Sequence, residues 1–137
     1  MSGRPQPIVG GDETVLLVDD EPGVRQMTAS ILTHCGYRVL IAEDAEQALA
    51  VLEQHEAPVH LLLTDVAMPA MSGPELYRLA SGRRPSLKVL FISGYPQDLL
   101  ERHEALCGQE VEMLQKPYGV ADLAQKIREV LDRTPPD

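Results

Sequence analysis

The sequence predicts an α/β fold: a doubly wound, five-stranded parallel sheet with helices on both faces. Three observations point there. Short apolar runs alternate with stretches at helical spacing along nearly the whole chain. The runs are continuous rather than alternating apolar with polar, as in strands buried on both faces. Strand and helix signals also take turns, the pattern of successive βαβ units.

Val15-Leu16-Leu17-Val18 is the first such run. Pro22 then opens a helix, with Val24, Met27, Ile31 and Cys35 expected on its inner face and Gly36 placed to end it. Tyr37 to Ile41 reads as the second strand. Asp44 is placed to cap a helix whose inner face would be Ala45, Ala48, Leu49 and Leu52. Leu61 to Thr64 is the third strand, and Pro74 opens a short helix carrying Leu76, Leu79 and Ala80. Val89 to Ile92 is the fourth strand. Asp98 to Leu106 reads as a weaker, more polar helix, and Val111 to Gln115 as the fifth and least apolar strand. Leu123, Ile127, Val130 and Leu131 mark the last helix.

A chain of 137 residues makes one domain, expected over residues 13–132. Residues 1–12, rich in Pro and Gly, read as a flexible lead-in, and 133–137 as a tail. With no Trp and one Phe, the core has to be built from aliphatic side chains and Met. A net charge of −9 excludes a nucleic-acid reader, which needs a basic face. The basic doublet Arg83-Arg84, beside Gly82 and Pro85, reads as a solvated loop. No apolar run is long enough to span a bilayer, and Arg4 is followed by no signal-peptide core, so the expectation is a cytoplasmic domain without membrane contact. Cys35 and Cys107 lack metal-ligand spacing and read as reduced thiols. The four histidines are scattered and read as surface or half-buried groups.

In a doubly wound sheet, function collects at the carboxyl ends of the strands. The residues there are Asp19 and Asp20 after the first run, Asp65 after the third, Ser93 after the fourth and Lys116 after the fifth. Each has a bland explanation by itself, as a cap or turn residue, but their joint occurrence on one edge does not. Three carboxylates in contact repel, so they raise one another's pKa or collect a cation. Hard oxygen ligands suit Mg²⁺, which keeps open positions for phosphate oxygens. Asp65 as nucleophile would form an aspartyl phosphate. The metal and Lys116 would offset charge on the transferring group, and Ser93 would donate to a phosphoryl oxygen. The turn after Asp65 would expose a backbone carbonyl, that of Ala67, to the metal.

The segments "VLLVDDEP", "LLLTDVAMPAMSGPEL", "VLFISGY" and "LQKPY" resemble, in order, the motifs of the response-regulator receiver domain, over about residues 13 to 132. The resemblance implies a flavodoxin-like sheet of order 2-1-3-4-5 and phosphotransfer from a histidine kinase or a histidine phosphotransfer domain. It implies Mg²⁺ at Asp20, Asp65 and the Ala67 carbonyl, with Asp19 reached directly or through water. The segments "GGDETVLLVDDEPGVR" and "FISGYPQDLL" are similar, more narrowly, to receiver modules of hybrid histidine kinases.

Two departures stand out. Met113 occupies the position, three before the lysine, where many receivers carry a switching aromatic, so Tyr95 or Tyr118 would take part in the switch instead. Ala67, two residues after Asp65, cannot position a water against an acyl phosphate, and Tyr95 is bulky enough to screen one. The favoured expectation is a phosphoacceptor module with self-catalysed transfer and no turnover of a free substrate. A binding-only receiver and a free-standing response regulator are the alternatives. A Mg²⁺-dependent phosphatase on a similar fold would need an acid where Ala67 stands, and no Gly-rich loop follows the first strand to bind a nucleotide.

Overall fold

The computed structural model describes residues 10–94, 112–115 and 118–133. The described elements are β1 (Thr14–Val18), α1 (Pro22–His34), β2 (Arg38–Ala42), α2 (Ala45–Gln54), β3 (Leu61–Asp65), α3 (Gly73–Arg83), β4 (Lys88–Ser93), β5 (Glu112–Gln115) and α4 (Val120–Asp132). All strand pairs are parallel, in the order β2-β1-β3-β4-β5. The expected helix over Asp98 to Leu106 lies outside the described residues.

Alternate residues of the central strands feed two separate cores, because successive side chains of a strand point to opposite faces. Leu16, Val18, Leu62 and Phe91 pack with Ala48 and Leu52 of α2 and with Leu76 and Ala80 of α3. Val15, Leu17, Leu61, Leu63, Leu90 and Ile92 pack on the other face with Leu32 of α1 and with Leu123, Ile127 and Val130 of α4. Each fully buried Val, Leu, Ile or Phe among them contributes about 1.5–3 kcal/mol. That two-sided burial is why the runs read as continuously apolar.

The helix ends follow their sequence signals. Asp44 caps α2, its carboxylate accepting from the Gln47 N–H at 2.8 Å. Ser72, which the sequence reading passed over, caps α3 by accepting from the Glu75 N–H at 3.3 Å. Gly36 closes the end of α1 with a φ of +99°, a left-handed conformation that glycine adopts without strain.

Four expectations are corrected. Met27 is not on the inner face of α1: it is 60% exposed, and Thr28 and Leu32 are the buried residues. Leu79 likewise points away from the core formed by Leu76 and Ala80. Arg84 is not a solvated loop residue. Its guanidinium donates to the carbonyls of Ala57 and Leu52, at 3.1 and 2.9 Å, and to that of His55, closing off the carboxyl end of α2. The second strand also runs one residue later than expected, because the Tyr37 N–H still bonds to Leu32 of α1.

The last part of the lead-in is held against the domain. The Gly11 N–H donates to the Cys35 carbonyl at 3.2 Å, and Arg128 of α4 donates to Glu13 through both terminal nitrogens, at 2.9 and 2.6 Å.

Candidate functional site

The parallel sheet brings the carboxyl ends of β1 and β3 side by side, since β1 and β3 are paired from Val15–Leu61 to Val18–Thr64. Asp19 and Asp20 follow β1, and Asp65 is the last residue of β3. One carboxylate oxygen from each of the three lies within 4.8 Å of the others. Asp19 is 6% exposed and Asp65 9%, while Asp20 is open to solvent.

Asp19 is held by three tethers. Its N–H donates to the Ala42 carbonyl of β2 at 3.3 Å. Its Oδ1 accepts from the Glu21 N–H at 2.9 Å, and its carbonyl accepts from Arg25 Nη1 at 2.9 Å. Asp65 is fixed through its backbone. It stands in register with Ile92 of β4, and the next residue, Val66, donates to the Ile92 carbonyl at 3.0 Å. The Thr64 hydroxyl reaches the Asp65 carbonyl at 3.1 Å.

Ser93 ends β4, one residue beyond the register partner of Asp65, and is buried. Gln115 of β5 is in register with Ser93. Ala67 is exposed in the turn after β3. Lys116 and Tyr95 lie outside the described residues. Met113 is in register with Phe91 and packs with it on the α2/α3 face. Tyr118 packs on the opposite face, with the α1/α4 core. The structure therefore brings Asp19, Asp20 and Asp65 together, places Ser93 on the neighbouring strand, and puts Met113 and Tyr118 on different sides of the sheet.

The donor set fits a hard divalent cation. All three groups are carboxylates, and oxygens on opposite sides of a Mg²⁺ stand about 4.2 Å apart, so one ion can draw this cluster together. Without a cation, charges at this separation repel by about 3 kcal/mol per pair at an effective dielectric near 20.

Two contributors escaped the sequence reading. Arg25 gave only the signal of a basic residue one turn into a helix beside an acidic loop. Gly73 gave only the signal of a glycine between Ser72 and Pro74. Its backbone packs on the carbonyl of Asp65, where a Cβ would meet that oxygen at 2.1 Å.

A five-stranded parallel sheet of order 2-1-3-4-5 with an acidic cluster at its carboxyl edge is the architecture of receiver-type domains. The chain belongs to the response regulator receiver domain family, whose model matches residues 15–128. It is similar to the sensor kinase CckA of Brucella abortus, 34% identical over 125 residues, which are 91% of this chain and 13% of that protein. It is also similar to the response regulator receiver protein CpdR of the same organism, 33% identical over 85% of this chain and 95% of that one. Among solved structures, the receiver domain of the hybrid histidine kinase CckA matches with a TM-score of 0.72 at 36% identity, over 87% of this chain and 99% of that domain. A CheY-like receiver from Methanospirillum hungatei JF-1 matches with a TM-score of 0.76 at 33% identity, over 89% of this chain and 95% of that one. The chain thus spans a small part of one relative and nearly all of another. Among the described residues, no helix is long and apolar enough to cross a membrane.

Proposed function

We propose that Asp65 is the phosphoacceptor and that the domain, residues 13–132, takes a phosphoryl group from the phosphohistidine of a histidine kinase or a histidine phosphotransfer domain. The observation that carries this reading is the convergence of Asp19, Asp20 and Asp65 within 4.8 Å at the carboxyl edge of the sheet.

An oxygen of Asp65 attacks phosphorus, the P–N bond breaks, and the imidazole leaves with its electron pair. β3 and its pairing with β4 hold the attacking carboxylate in place, which lowers the entropy to be lost on reaching the transition state. Asp19, Asp20 and Asp65, with the Ala67 carbonyl, would hold Mg²⁺, which when bound supplies positive charge to the phosphoryl oxygens. Ser93 donates to one phosphoryl oxygen and Lys116 pairs with another. Tyr95, Met113 and Tyr118 are the candidates for reading the phosphorylated state; Met113, beside Phe91, repacks without a ring to swing. The domain modifies itself and turns over no free substrate.

The test is intact mass after incubation with Mg²⁺ and acetyl phosphate. One added phosphoryl group is expected in the wild type, and none in Asp65→Asn or without Mg²⁺. No adduct in the wild type, together with no binding of a stable phosphoryl mimic, leaves the binding-only reading in its place.

The likeness to CckA, as whole kinase and as solved receiver, favours a receiver module of a hybrid histidine kinase. The likeness to CpdR over nearly its full length favours a free-standing receiver as the second reading. The transcript upstream of Met1 decides between them: an in-frame kinase core supports the first, a stop codon the second.

A further inference from the structure

We propose that Arg25 is a positioning residue for the acidic site: it sets the β1–α1 loop so that Asp19 and Asp20 meet Asp65, and Mg²⁺ affinity depends on it. This rests on the metal reading above.

Arg25 lies in the first turns of α1, its N–H bonded to the Glu21 carbonyl at 2.9 Å. Its side chain is only 15% exposed and turns back over the loop it follows. Nη1 donates to the Asp19 carbonyl at 2.9 Å, and Nη2 stands 3.8 Å from the Glu43 carboxylate, just after β2. One guanidinium therefore spans the β1–α1 and β2–α2 loops, both at the carboxyl edge. The carbonyl it holds belongs to the peptide between Asp19 and Asp20, so Arg25 restrains the plane that joins their two Cα atoms, while the Asp19 N–H on the Ala42 carbonyl restrains the plane before it. The Glu21 N–H on Asp19 Oδ1 completes the loop. A planar fork with a fixed charge suits this better than a flexible ammonium would.

Charge and geometry make opposite predictions here. As a cation near a cation site, Arg25 weakens Mg²⁺ binding by repulsion. As the brace of the loop, it strengthens binding by holding the ligands where the ion needs them. Partners that orient ligands in this way are worth about ten- to a hundredfold in metal affinity. The exposed Glu43 carboxylate partly offsets the charge of Arg25, which lowers the repulsion and leaves the brace. Removing the side chain therefore loses affinity.

The experiment is calorimetric titration of the whole chain with Mg²⁺, for wild type, Asp20→Asn, Arg25→Met and Glu43→Gln. The wild type binds and Asp20→Asn does not. Arg25→Met binds about tenfold more weakly, although it has lost a repelling charge, and Glu43→Gln loses less, since it uncovers the Arg25 charge but leaves the bond to the Asp19 carbonyl. In Arg25→Met the Glu21 amide exchanges faster while amides of the central strands keep their protection, a local effect that general destabilisation would not give. If Arg25→Met has no folding transition, Arg25→Lys takes its place, with a smaller loss expected. Wild-type binding with Arg25→Met equal or tighter overturns the positioning role alone. No Mg²⁺ binding by the wild type overturns the metal reading, and this inference with it.

Discussion

Gly73 presses its backbone against the carbonyl oxygen of Asp65: a Cβ on Gly73 would lie 2.1 Å from that oxygen and 3.3 Å from the methyl of Thr64. The first helical residue of α3 thus packs on the strand end that carries Asp65, the proposed acceptor, and the Gly73 N–H donates to the Val66 carbonyl at 2.8 Å. Any side chain here has to displace backbone rather than a flexible tip. Gly73→Ala is expected to cost about 1–3 kcal/mol, the usual range for overpacking. It should also slow phosphorylation of Asp65, because the displaced atoms are that residue's own. Urea denaturation and the rate of adduct formation check the two effects. Gly23, with nothing within 4 Å of its would-be Cβ, is the control: Gly23→Ala should not destabilise.

The same strand end brings three carboxylates together. Asp19, Asp20 and Asp65 lie within 4.8 Å of one another, so when a chelator withholds cations, removing one charge relieves the other two. Asp65→Asn and Asp20→Asn are each expected to raise stability in EDTA by about 1–3 kcal/mol. Mg²⁺ should stabilise the wild type more than either variant, since it binds the folded state through the charges the variants lack. Thermal melts with EDTA and with Mg²⁺ give the comparison. Variants that melt below the wild type in EDTA would show that hydrogen bonding, not repulsion, governs these side chains.

Much of this was legible in the sequence because a parallel sheet turns chain order into position. Asp19 and Asp65 are 46 residues apart, yet each follows an apolar run, and pairing β1 with β3 puts those run ends side by side. The central strands read clearly for the same reason: Leu16 and Leu17 serve opposite cores, so neither face shows a polar residue. Helix faces were less legible. Met27 outranks Thr28 on any apolar scale, but α1 buries Thr28 and leaves Met27 in solvent. Contacts between distant polar residues left no periodic signal. Arg84 at the end of α2, Arg128 on Glu13, and the Gly73–Asp65 packing each depend on three-dimensional approach that spacing does not encode.

Ala70, in the turn between β3 and α3, has a φ of +69°, the left-handed region that costs an L-residue about 1–2 kcal/mol. It is exposed, so no side-chain packing offsets that cost. Ala70→Gly relieves the strain but gives the unfolded chain more freedom, worth roughly 0.4–1 kcal/mol in the opposite direction. The expected net is a gain of about 0.5 kcal/mol, within reach of paired urea titrations. A loss of stability would mean that the turn adopts another conformation in solution.

The clearest pH dependence belongs to the end of the domain away from the acidic site. Hydrogen bonds from Arg128 hold the Glu13 carboxyl below its ordinary pKa against the opposing effect of burial. Glu112 is held down in the same way, first by its hydrogen bond from Arg133 and then, after burial's upward pull, by Lys126 at 3.2 Å. Both carboxyls have folded-state values below their unfolded ones. Their contribution is therefore complete above the unfolded carboxylate pKa of about 4.3 and is lost as pH falls through the folded value. Arg128→Met should cost about 1–2 kcal/mol at neutral pH, between an exposed ion pair and a buried charged hydrogen bond. The gap between wild type and variant should narrow from about pH 5 to about pH 3, as Glu13 and Asp132, whose carboxylates both accept from Arg128, are protonated in both proteins. It should not close, because Arg128 also donates to the Gly10 carbonyl and the Tyr37 hydroxyl, at 3.3 and 3.4 Å, and neither acceptor titrates in that window. Urea titrations at several pH values measure the gap directly. A gap that stays constant down to pH 3 would assign the whole effect to those two neutral acceptors and none to Glu13 or Asp132.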